Sequence, residues 1–353
     1  MRVLVSCGEP SGRLLAGMLE RALRADRDRT EVLVHAEEPV FGFWEGIRAS
    51  RRVRTRVGAL AGRIPALSPD AVVPVAFSGF NLRFGRRCRE AGLPVVYLSP
   101  PQVWAWGGWR IRDLKRAADL VVCLLHFEER PLRQAGLNAV FLGHPLVDVT
   151  QEVWSREETC AALGLPSDRS YVALLPGSRP SEIDHHRPLF GELAAAVERD
   201  TRSSAVFLEL GEPGGMGTLQ DVKARYSAIR HAAATVVVSG TATLEAALLG
   251  TPQVVCYHLN QPTRFLARLL VRSRHFALPN IILGRGSVPE LLEPSVGRIM
   301  AELMPLLADR DRRCGLQEEY AEVRRLLGPP GAMKRIAGRV VALARAAGRE
   351  TPA

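Results

Sequence analysis

Short apolar runs alternate with longer amphipathic segments from one end of the 353-residue chain to the other. This alternation is typical of βαβ units, in which helices cover both faces of a parallel sheet. The sequence therefore predicts an α/β protein. Because 47% of the residues are hydrophobic, the chain can bury a core large enough for two domains.

Two sets of apolar runs, separated by a less regular stretch at 148–168, predict two Rossmann-like domains. The predicted strands are 3–7, 31–35, 71–77, 94–98, 120–125 and 139–142 in the first set and 171–175, 205–210, 235–238 and 253–257 in the second. The predicted helices include 13–24, 81–90, 181–198, 242–249 and 262–272. We expect domains at 1–150, joined by a C-terminal helix at 331–350, and at 165–330. Ligands of such tandem domains bind in the cleft between them.

The net charge of +10 and the pI of about 9.9 fit a nucleic acid, an anionic membrane or a phosphate-bearing substrate. Only Lys115, Lys223 and Lys334 are lysines, an arginine bias that a GC-rich genome explains as readily as phosphate recognition does. Nucleic acid ranks low because no RNP, helix-turn-helix or zinc pattern accompanies the charge.

The six cysteines form no C-x-x-C pair, and the histidines lack metal-site spacing, so we predict buried free thiols, no metal and no cofactor. Without an apolar leader or membrane-spanning stretch, we expect a cytoplasmic protein that meets the inner face of a membrane at most peripherally. The oligomeric state stays open, with a homodimer among the alternatives.

Two strand–turn–helix junctions in the second half predict a site for a nucleotide diphosphate. Their residues are Gly177, Ser178 and Arg179 in the first turn and Ser239, Gly240, Thr241 and Glu245 in the second. Backbone amides at a helix N-terminus attract phosphate, and an arginine adds bidentate bonds. Glu245 could accept hydrogen bonds from a ribose. Alternatively, Arg179 pairs with Glu182, and Glu245 only complements the helix dipole.

The first half carries a similar turn and an aromatic cluster. Gly8, Glu9, Ser11 and Gly12 follow the first strand and could bind an anion or sugar, although a tight turn also requires glycine. Ser99 precedes a run with Trp104 and Trp106, which basic residues follow from position 110. Aromatic rings beside cations suit a sugar or an acyl chain that bears phosphate.

Two arginine-rich stripes predict either contact with anionic lipid or solvated helix faces. The first contains Arg48, Arg51, Arg52, Arg54, Arg56 and Arg63, and the second contains Arg264, Arg268 and Arg272.

Together these segments resemble the lipid-A-disaccharide synthase family of GT-B glycosyltransferases, of which the chain would be a divergent member. The matching motifs are G-E-P-S-G at 8–12, Y-L-S-P at 97–100, V-W-A-W at 103–106, F-L-G-H at 141–144, L-L-P-G-S-R at 174–179, S-G-T-A-T-L-E at 239–245 and L-P-N at 278–280 with Gly284-Arg285. The resemblance implies a GT-B fold, an N-terminal acceptor domain and a C-terminal domain that binds a UDP-sugar.

The resemblance also implies roles for single residues. The family condenses a UDP-activated diacylglucosamine with a diacylglucosamine 1-phosphate. Arg179 and Asn280 would be catalytic, and the two turns would hold the donor. The acceptor side would be lined by Gly8, Glu9, Ser11, Gly12, Ser99, Trp104 and Trp106.

The chain departs from the family at the general base. Members carry an aspartate in a pattern like G-I-D-A-P-D-F-N, where this sequence has Ala76, and Arg13 replaces another aspartate. General-base catalysis contributes roughly 10²–10⁴-fold, so another group must substitute if the protein is active. Glu9, His126 and Glu128 are the candidates. The alternatives are a catalytically silent sugar-nucleotide or lipid-binding homologue and a transferase with a different acceptor.

Overall fold

The computed structural model describes residues 1–8, 10–25, 30–37, 46–105, 107–151, 153–178, 180–208, 222–258 and 274–349. The chain forms two compact units. Unit 1 comprises Met1–Pro145 and Leu327–Ala353, and unit 2 comprises Leu146–Leu326. The helix predicted at 262–272 lies outside the described residues.

Six parallel strands form the sheet of unit 1. They are β1 (Arg2–Cys7), β2 (Glu31–Ala36), β3 (Ala71–Pro74), β4 (Val96–Leu98), β5 (Leu120–Cys123) and β6 (Ala139–Phe141). The ladders run in the orders β2-β1-β3 and β4-β5-β6. Parallel bridges between Val72 and Val95 and between Val75 and Leu98 join the two ladders at β3 and β4. The carboxyl ends of these strands therefore share one edge.

Helices cover this sheet on its faces. They are α1 (Pro10–Arg24), α2 (Gly46–Gly62), α3 (Ile64–Leu67), α4 (Ser78–Glu90), α5 (Arg110–Ala117), α6 (Glu129–Gln134) and the C-terminal α15 (Ala332–Arg349). A 3₁₀ helix, His126–Glu128, precedes α6. Helix α15 packs against α1, and α4 packs against both α2 and α5. Because helices shield the strands, β3, β4 and β5 consist of buried residues throughout.

Unit 2 is a second parallel sheet with the strand order β11-β10-β9-β7-β8. Its strands are β7 (Tyr171–Leu175), β8 (Ser204–Phe207), β9 (Ala234–Val238), β10 (Gln253–Tyr257) and β11 (Glu290–Leu292). Its helices are α7 (Leu146–Val149), α8 (Arg156–Ala162), α9 (Pro180–Asp200), α10 (Val222–His231), α11 (Thr241–Leu249), α12 (Leu278–Leu283), α13 (Val296–Ala308) and α14 (Arg310–Leu326).

Strand β3 is shorter than the sequence predicts. The apolar run continues to Phe77, but the strand ends at Pro74, and Ala76 and Phe77 adopt left-handed backbone angles, with φ of 47° and 45°. Asn81 accounts for this ending, because its Nδ2 donates to the carbonyl oxygens of Val75 (2.9 Å) and Ala76 (3.0 Å). Tyr97 Oη also donates to Ala76 O, at 2.9 Å.

The described cysteines are unpaired, and five of the six are buried: Cys7, Cys88, Cys123, Cys160 and Cys256. Burial raises the pKa of the Cys88 thiol to about 12, so it stays protonated and unreactive. The prediction of buried free thiols is therefore confirmed for these five. Among the helices in the described ranges, none has the length and apolar character needed to cross a bilayer.

Candidate functional site

The first predicted turn of unit 2 joins β7 to α9 at the carboxyl edge of the sheet. Gly177 has a φ of 145°, and a Cβ at this position would lie 2.8 Å from Cβ of Glu182. Only glycine fits there. The backbone N–H of Ser178 donates to Oε2 of Glu182 at 3.2 Å, so this carboxylate shapes the turn. Arg179 lies outside the described residues.

The second turn joins β9 to α11. Ser239 Oγ donates to Phe276 O at 2.7 Å, and Gly240 has a φ of 154°. Thr241 is the first residue of α11. Because β9 and β7 are neighbours in the parallel sheet, the two turns lie side by side at one edge. The N-termini of α9 and α11 then favour an anion at the same place.

Glu245 is buried on α11 and has partners within unit 2. Only 5% of the residue is exposed, and Oε2 pairs with Nη1 of Arg225. Tyr226 Oη donates to Oε1 at 3.3 Å. Sequence reasoning missed Arg225, since nothing in the local pattern of α10 indicates a buried cation. The role of Glu245 toward a ribose stays a prediction.

Asn280 is fully buried, and its side chain closes the loop that follows α12. Its Oδ1 accepts from the N–H groups of Ser287 (2.8 Å) and Val288 (2.9 Å), and its Nδ2 donates to Val288 O (2.9 Å). The start of α12 contacts the second turn, because Leu278 N donates to Thr243 Oγ1 at 3.1 Å. The structure thus brings the L-P-N segment next to the S-G-T turn, while the catalytic role of Asn280 stays a prediction.

A histidine cluster beside the first turn was not predicted from the sequence. The ring centroids of His185, His186 and His258 lie 5.2–6.1 Å apart. His258 Nδ1 lies 2.8 Å from Oε2 of Glu293, and burial lowers the pKa of His186. The sequence contains one indication of this cluster, which is the position of two of its residues at strand ends. His258 directly follows β10, and Glu293 directly follows β11.

The predicted acceptor turn of unit 1 packs against the junction between β3 and α4. A Cβ at Gly8 would lie 2.6 Å from the ring of Phe77, and one at Gly12 would lie 3.7 Å from Cβ of Ala76. Ser11 is in the first turn of α1. Glu9 lies outside the described residues. The structure therefore brings Gly8 and Gly12 next to position 76, where the expected base is replaced.

The aromatic segment after β4 is fixed by a buried carboxylate. Ser99 has a φ of 61° and donates its N–H to Val122 O at 3.1 Å. Trp104 Nε1 donates to Oε1 of Glu128 at 3.0 Å, and the Trp104 ring lies edge-on to Phe127. Trp106 lies outside the described residues.

The candidate bases His126 and Glu128 lie after β5. Glu128 Oε2 accepts from the N–H groups of Leu124 (3.2 Å) and Leu125 (3.1 Å), so its oxygens serve the local structure. Burial raises the pKa of Glu128, although its hydrogen bonds act in the opposite direction. His126 Nδ1 is buried without a hydrogen-bond partner, and burial lowers the pKa of this ring.

Across the described residues, no three histidine, cysteine or acidic side chains are grouped so that they could hold a metal ion. The functional groups at the carboxyl edges of the two parallel sheets are backbone amides, hydroxyls, carboxylates and imidazoles.

Comparisons with known proteins give a family as well as a fold. The family model of lipid-A-disaccharide synthetase matches residues 3–328. The lipid-A-disaccharide synthase of Syntrophus aciditrophicus is 37% identical over 319 residues, which cover 86% of this chain and 83% of that protein. The enzyme of the same name from Trichlorobacter lovleyi is 31% identical, with 97% of each chain covered.

Solved structures share the fold at low sequence identity. UDP-GlcNAc 2-epimerase from Neisseria meningitidis, bound to UDP-GlcNAc, aligns with a TM-score of 0.68 at 13% identity and covers 97% of this chain and 100% of that one. Spinosyn rhamnosyltransferase aligns with a TM-score of 0.57 at 14% identity and covers 96% and 100%. The prediction of an α/β, GT-B-type fold is confirmed.

Proposed function

Because the chain belongs to the lipid-A-disaccharide synthetase family, we propose that it transfers a diacylglucosamine unit from a UDP-sugar to a lipid-linked sugar phosphate and releases UDP. The reaction is that of a hexosyltransferase. The family match carries this proposal, since it extends over nearly the whole chain. The carboxyl edges of the two sheets carry the groups that would bind the two substrates.

The proposed donor site is the edge of unit 2 at which the two turns meet. Gly177 and Gly240 allow a diphosphate to approach the backbone closely, and the N-termini of α9 and α11 favour its negative charge. Arg179 would add bidentate bonds to the phosphate oxygens and balance charge on the departing UDP.

The proposed acceptor site is the edge of unit 1. Gly8 and Gly12 let the backbone of the first turn pack closely against Phe77 and Ala76, and Trp104 offers an apolar ring that Glu128 holds in one orientation. A sugar face that packs against such a ring is stabilised by apolar contact.

The proposal is tested by mixing the purified protein with UDP-2,3-diacylglucosamine and diacylglucosamine 1-phosphate. Mass spectrometry detects the disaccharide, and calorimetry measures UDP binding in parallel. We expect product from the wild-type protein and UDP binding that is at least tenfold weaker in Arg179→Ala, because a charge-assisted pair is lost. Arg199→Ala, at the far end of α9, is the control. Absence of both UDP binding and product would overturn the proposal.

A second candidate function is favoured by Arg13, which replaces one aspartate of the family pattern, and by Ala76. Since the resemblance places a catalytic aspartate there, the chain is either a silent sugar-nucleotide-binding homologue or a transferase with another acceptor. UDP binding without disaccharide formation would support this alternative.

A peripheral membrane contact is a further part of the proposal. Among the residues whose exposure the structure describes, the layer formed by α2, α4 and α5 presents nine exposed cations and two exposed acids. The exposed cations are Arg51, Arg52, Arg54, Arg83, Arg86, Arg87, Arg112, Lys115 and Arg116, and the acids are Glu90 and Asp113. Such a layer suits an anionic bilayer, in which a lipid acceptor would reside. Of the two predicted stripes, the one at 264–272 lies outside the described residues.

Sedimentation with phosphatidylglycerol vesicles tests the membrane contact. Each arginine near an anionic surface contributes about 1 kcal/mol, so replacing Arg51, Arg52 and Arg54 by glutamine should weaken binding roughly 100-fold at low ionic strength. Replacing the exposed Arg21, Arg298 and Arg339 removes the same charge elsewhere and should leave most of the binding. Equal losses in the two triple variants would contradict a specific docking layer.

A further inference from the structure

A histidine and a glutamate at the carboxyl end of β2 form a hydrogen-bonded pair. His35 Nε2 lies 3.2 Å from Oε2 of Glu37. The other carboxylate oxygen, Oε1, accepts from Nη1 of Arg56 on α2 at 2.6 Å. The Glu37 side chain is only 11% exposed, and its backbone N–H donates to Cys7 O at 2.7 Å. The pair is therefore fixed at the end of β2, beside the end of β1.

The partners of Glu37 determine which nitrogen of His35 carries the proton. An ionised carboxylate only accepts hydrogen bonds, so the ring donates from Nε2 and its lone pair is on Nδ1. Within the described part of the chain, no hydrogen bond to Nδ1 is present. The side chain of His35 is 28% exposed. This leaves one basic nitrogen of His35 open to a ligand.

His35 lies at the same sheet edge as the proposed acceptor site. It is opposite Ser6 in the parallel ladder, and Ser6 is opposite Pro74, the last residue of β3. The His35 ring stacks on Phe80 with ring centroids 6.3 Å apart, and Phe80 stacks on Phe77, which adjoins Ala76. A line of rings thus connects His35 to the position that lacks the carboxylate.

We propose that His35 is the general base of the transfer reaction and that Glu37 is its positioning residue. This inference rests on the proposed function. Nδ1 takes the proton of the acceptor hydroxyl while that oxygen bonds to the anomeric carbon of the donor. The bond from this carbon to the diphosphate breaks, and UDP leaves with the electron pair. The imidazolium then returns its proton to solvent.

Glu37 stabilises the imidazolium that forms, as a carboxylate does for a catalytic histidine in hydrolytic triads. Within the described residues, the charged groups that face the pair are Arg56 from α2 and Arg13 from α1, whose Nη2 lies 3.4 Å from Glu37 O. These cations balance the carboxylate while the ring is neutral.

The other candidates in the described chain are less suited to this role. His126 has no carboxylate partner and packs edge-on against Phe127 and Phe141. Glu128 accepts three hydrogen bonds from its own surroundings. A base needs a free lone pair and a stabilised protonated form, and among these groups His35 has both.

The test compares His35→Gln and His35→Ala with the wild-type protein. Glutamine keeps an N–H where Nε2 lies and thus keeps the bond to Glu37, but it has no basic nitrogen. We expect both variants to lose roughly 100- to 10,000-fold in kcat with UDP binding unchanged. His231→Ala, which changes a half-buried histidine of unit 2, is the matched control. Wild-type kcat in His35→Gln would make the role structural and overturn the inference.

Two further measurements separate a base from a packing residue. Glu37→Gln should lower kcat at least tenfold with UDP binding unchanged, and Glu37→Asp should recover part of that loss, because a carboxylate again accepts from Nε2. Ala76→Asp in the His35→Gln background should recover at least tenfold in kcat, since it supplies a carboxylate at the position where the resemblance places the base. No recovery in Glu37→Asp together with none in the Ala76→Asp double variant would overturn the assignment. A wild-type protein that makes no disaccharide would instead overturn the proposed function and, with it, this inference.

Discussion

Asn81 shows how one buried amide shapes the acceptor edge. Its side chain is fully buried and bonds to Ser6 on β1 and to Val75 and Ala76, which directly follow β3. These bonds hold Ala76 and Phe77 in left-handed conformations that residues with a Cβ rarely adopt. The geometry at position 76 therefore depends on a residue five positions away.

We predict that Asn81→Ala destabilises unit 1 by about 3 kcal/mol. The substitution leaves several buried groups without partners, and each costs roughly 1–3 kcal/mol, which relaxation of the turn partly offsets. Urea unfolding measures the change. Asn138→Ala removes a single exposed bond to Asp119 O and should cost no more than about 0.5 kcal/mol. A similar loss in the two variants would show that Asn81 does not organise the turn.

Gly177 gives a second prediction for a single position. Gly177→Ala forces a Cβ to within 2.8 Å of Cβ of Glu182 and strains the backbone, so the turn must move. We expect calorimetry to show UDP binding at least tenfold weaker. Gly191→Ala on α9 meets no atom within 4 Å and should leave UDP binding unchanged. Equal affinity in the two variants would remove this turn from the donor site.

For single residues, the sequence predicts which glycines lie in turns better than it predicts which side chains pair with one another. Gly177 and Gly240 follow apolar strands, so their turns were predictable from local pattern. The pairing of Glu245 with Arg225 and of Glu37 with His35 and Arg56 depends on which helices pack against which strands. The two arginine–glutamate contacts join residues 19 and 20 positions apart on different elements, and local periodicity contains no information about them.

At the scale of elements, the C-terminal helix is held to unit 1 by one arginine and by packing. Arg335 on α15 donates to Leu142 O (2.9 Å), Pro330 O (2.8 Å) and Pro329 O (2.7 Å). A Cβ on Gly143 would lie 2.9 Å from Nη2 of this arginine. The F-L-G-H motif therefore serves as a docking point for the returning chain, besides any role in binding.

We predict that Arg335→Ala lowers the opening free energy of α15 by about 2 kcal/mol, since three carbonyl groups lose a charged donor. Hydrogen exchange with mass spectrometry of peptides from 332–349 measures this quantity. Arg339→Ala removes an exposed arginine from the same helix and should change exchange little. Unchanged protection in Arg335→Ala would mean that packing against α1 alone holds the helix.

Strands that lie within clear apolar runs were predictable, and β11, which does not, was missed. Strands β7 and β10 begin and end at the predicted residues, because their apolar runs are bounded by polar or turn residues. Strand β11 was missed because Pro289, Glu290 and Glu293 interrupt its segment, which therefore shows no apolar run. Strand β3 was predicted too long because the bonds from Asn81 and Tyr97 override its apolar pattern.

For the whole molecule, buried histidines predict acid sensitivity. Burial lowers the pKa of His144 to about 4 from its ordinary value of 6.5, and it also lowers the pKa values of His126 and His186. Between the folded and unfolded values, the unfolded chain binds more protons than the folded one, so stability rises with pH and is lost as pH falls from about 6.5 toward 4.

We predict that lowering the pH from 7 to 5 costs the wild-type protein about 2 kcal/mol more than it costs His144→Gln, which has no group to protonate there. Unfolding in urea at several pH values gives the two curves. His231→Ala should lose stability with acid as the wild-type protein does. Parallel curves for the wild-type protein and His144→Gln would exclude His144 as the sensitive group.

The discontinuity of unit 1 has a consequence for how the molecule is made. The residues of α15, which cover α1, are translated only after all of Leu146–Leu326. At roughly 5–20 residues per second, the ribosome takes on the order of 10–40 s to pass that insertion. During this interval the side of α1 that packs against α15 is uncovered on the nascent chain, and all of unit 2 is synthesised before α15 is. Unit 2 therefore begins synthesis after unit 1 but is the first unit that can finish folding. Until α15 is synthesised, unit 1 is a substrate for chaperones.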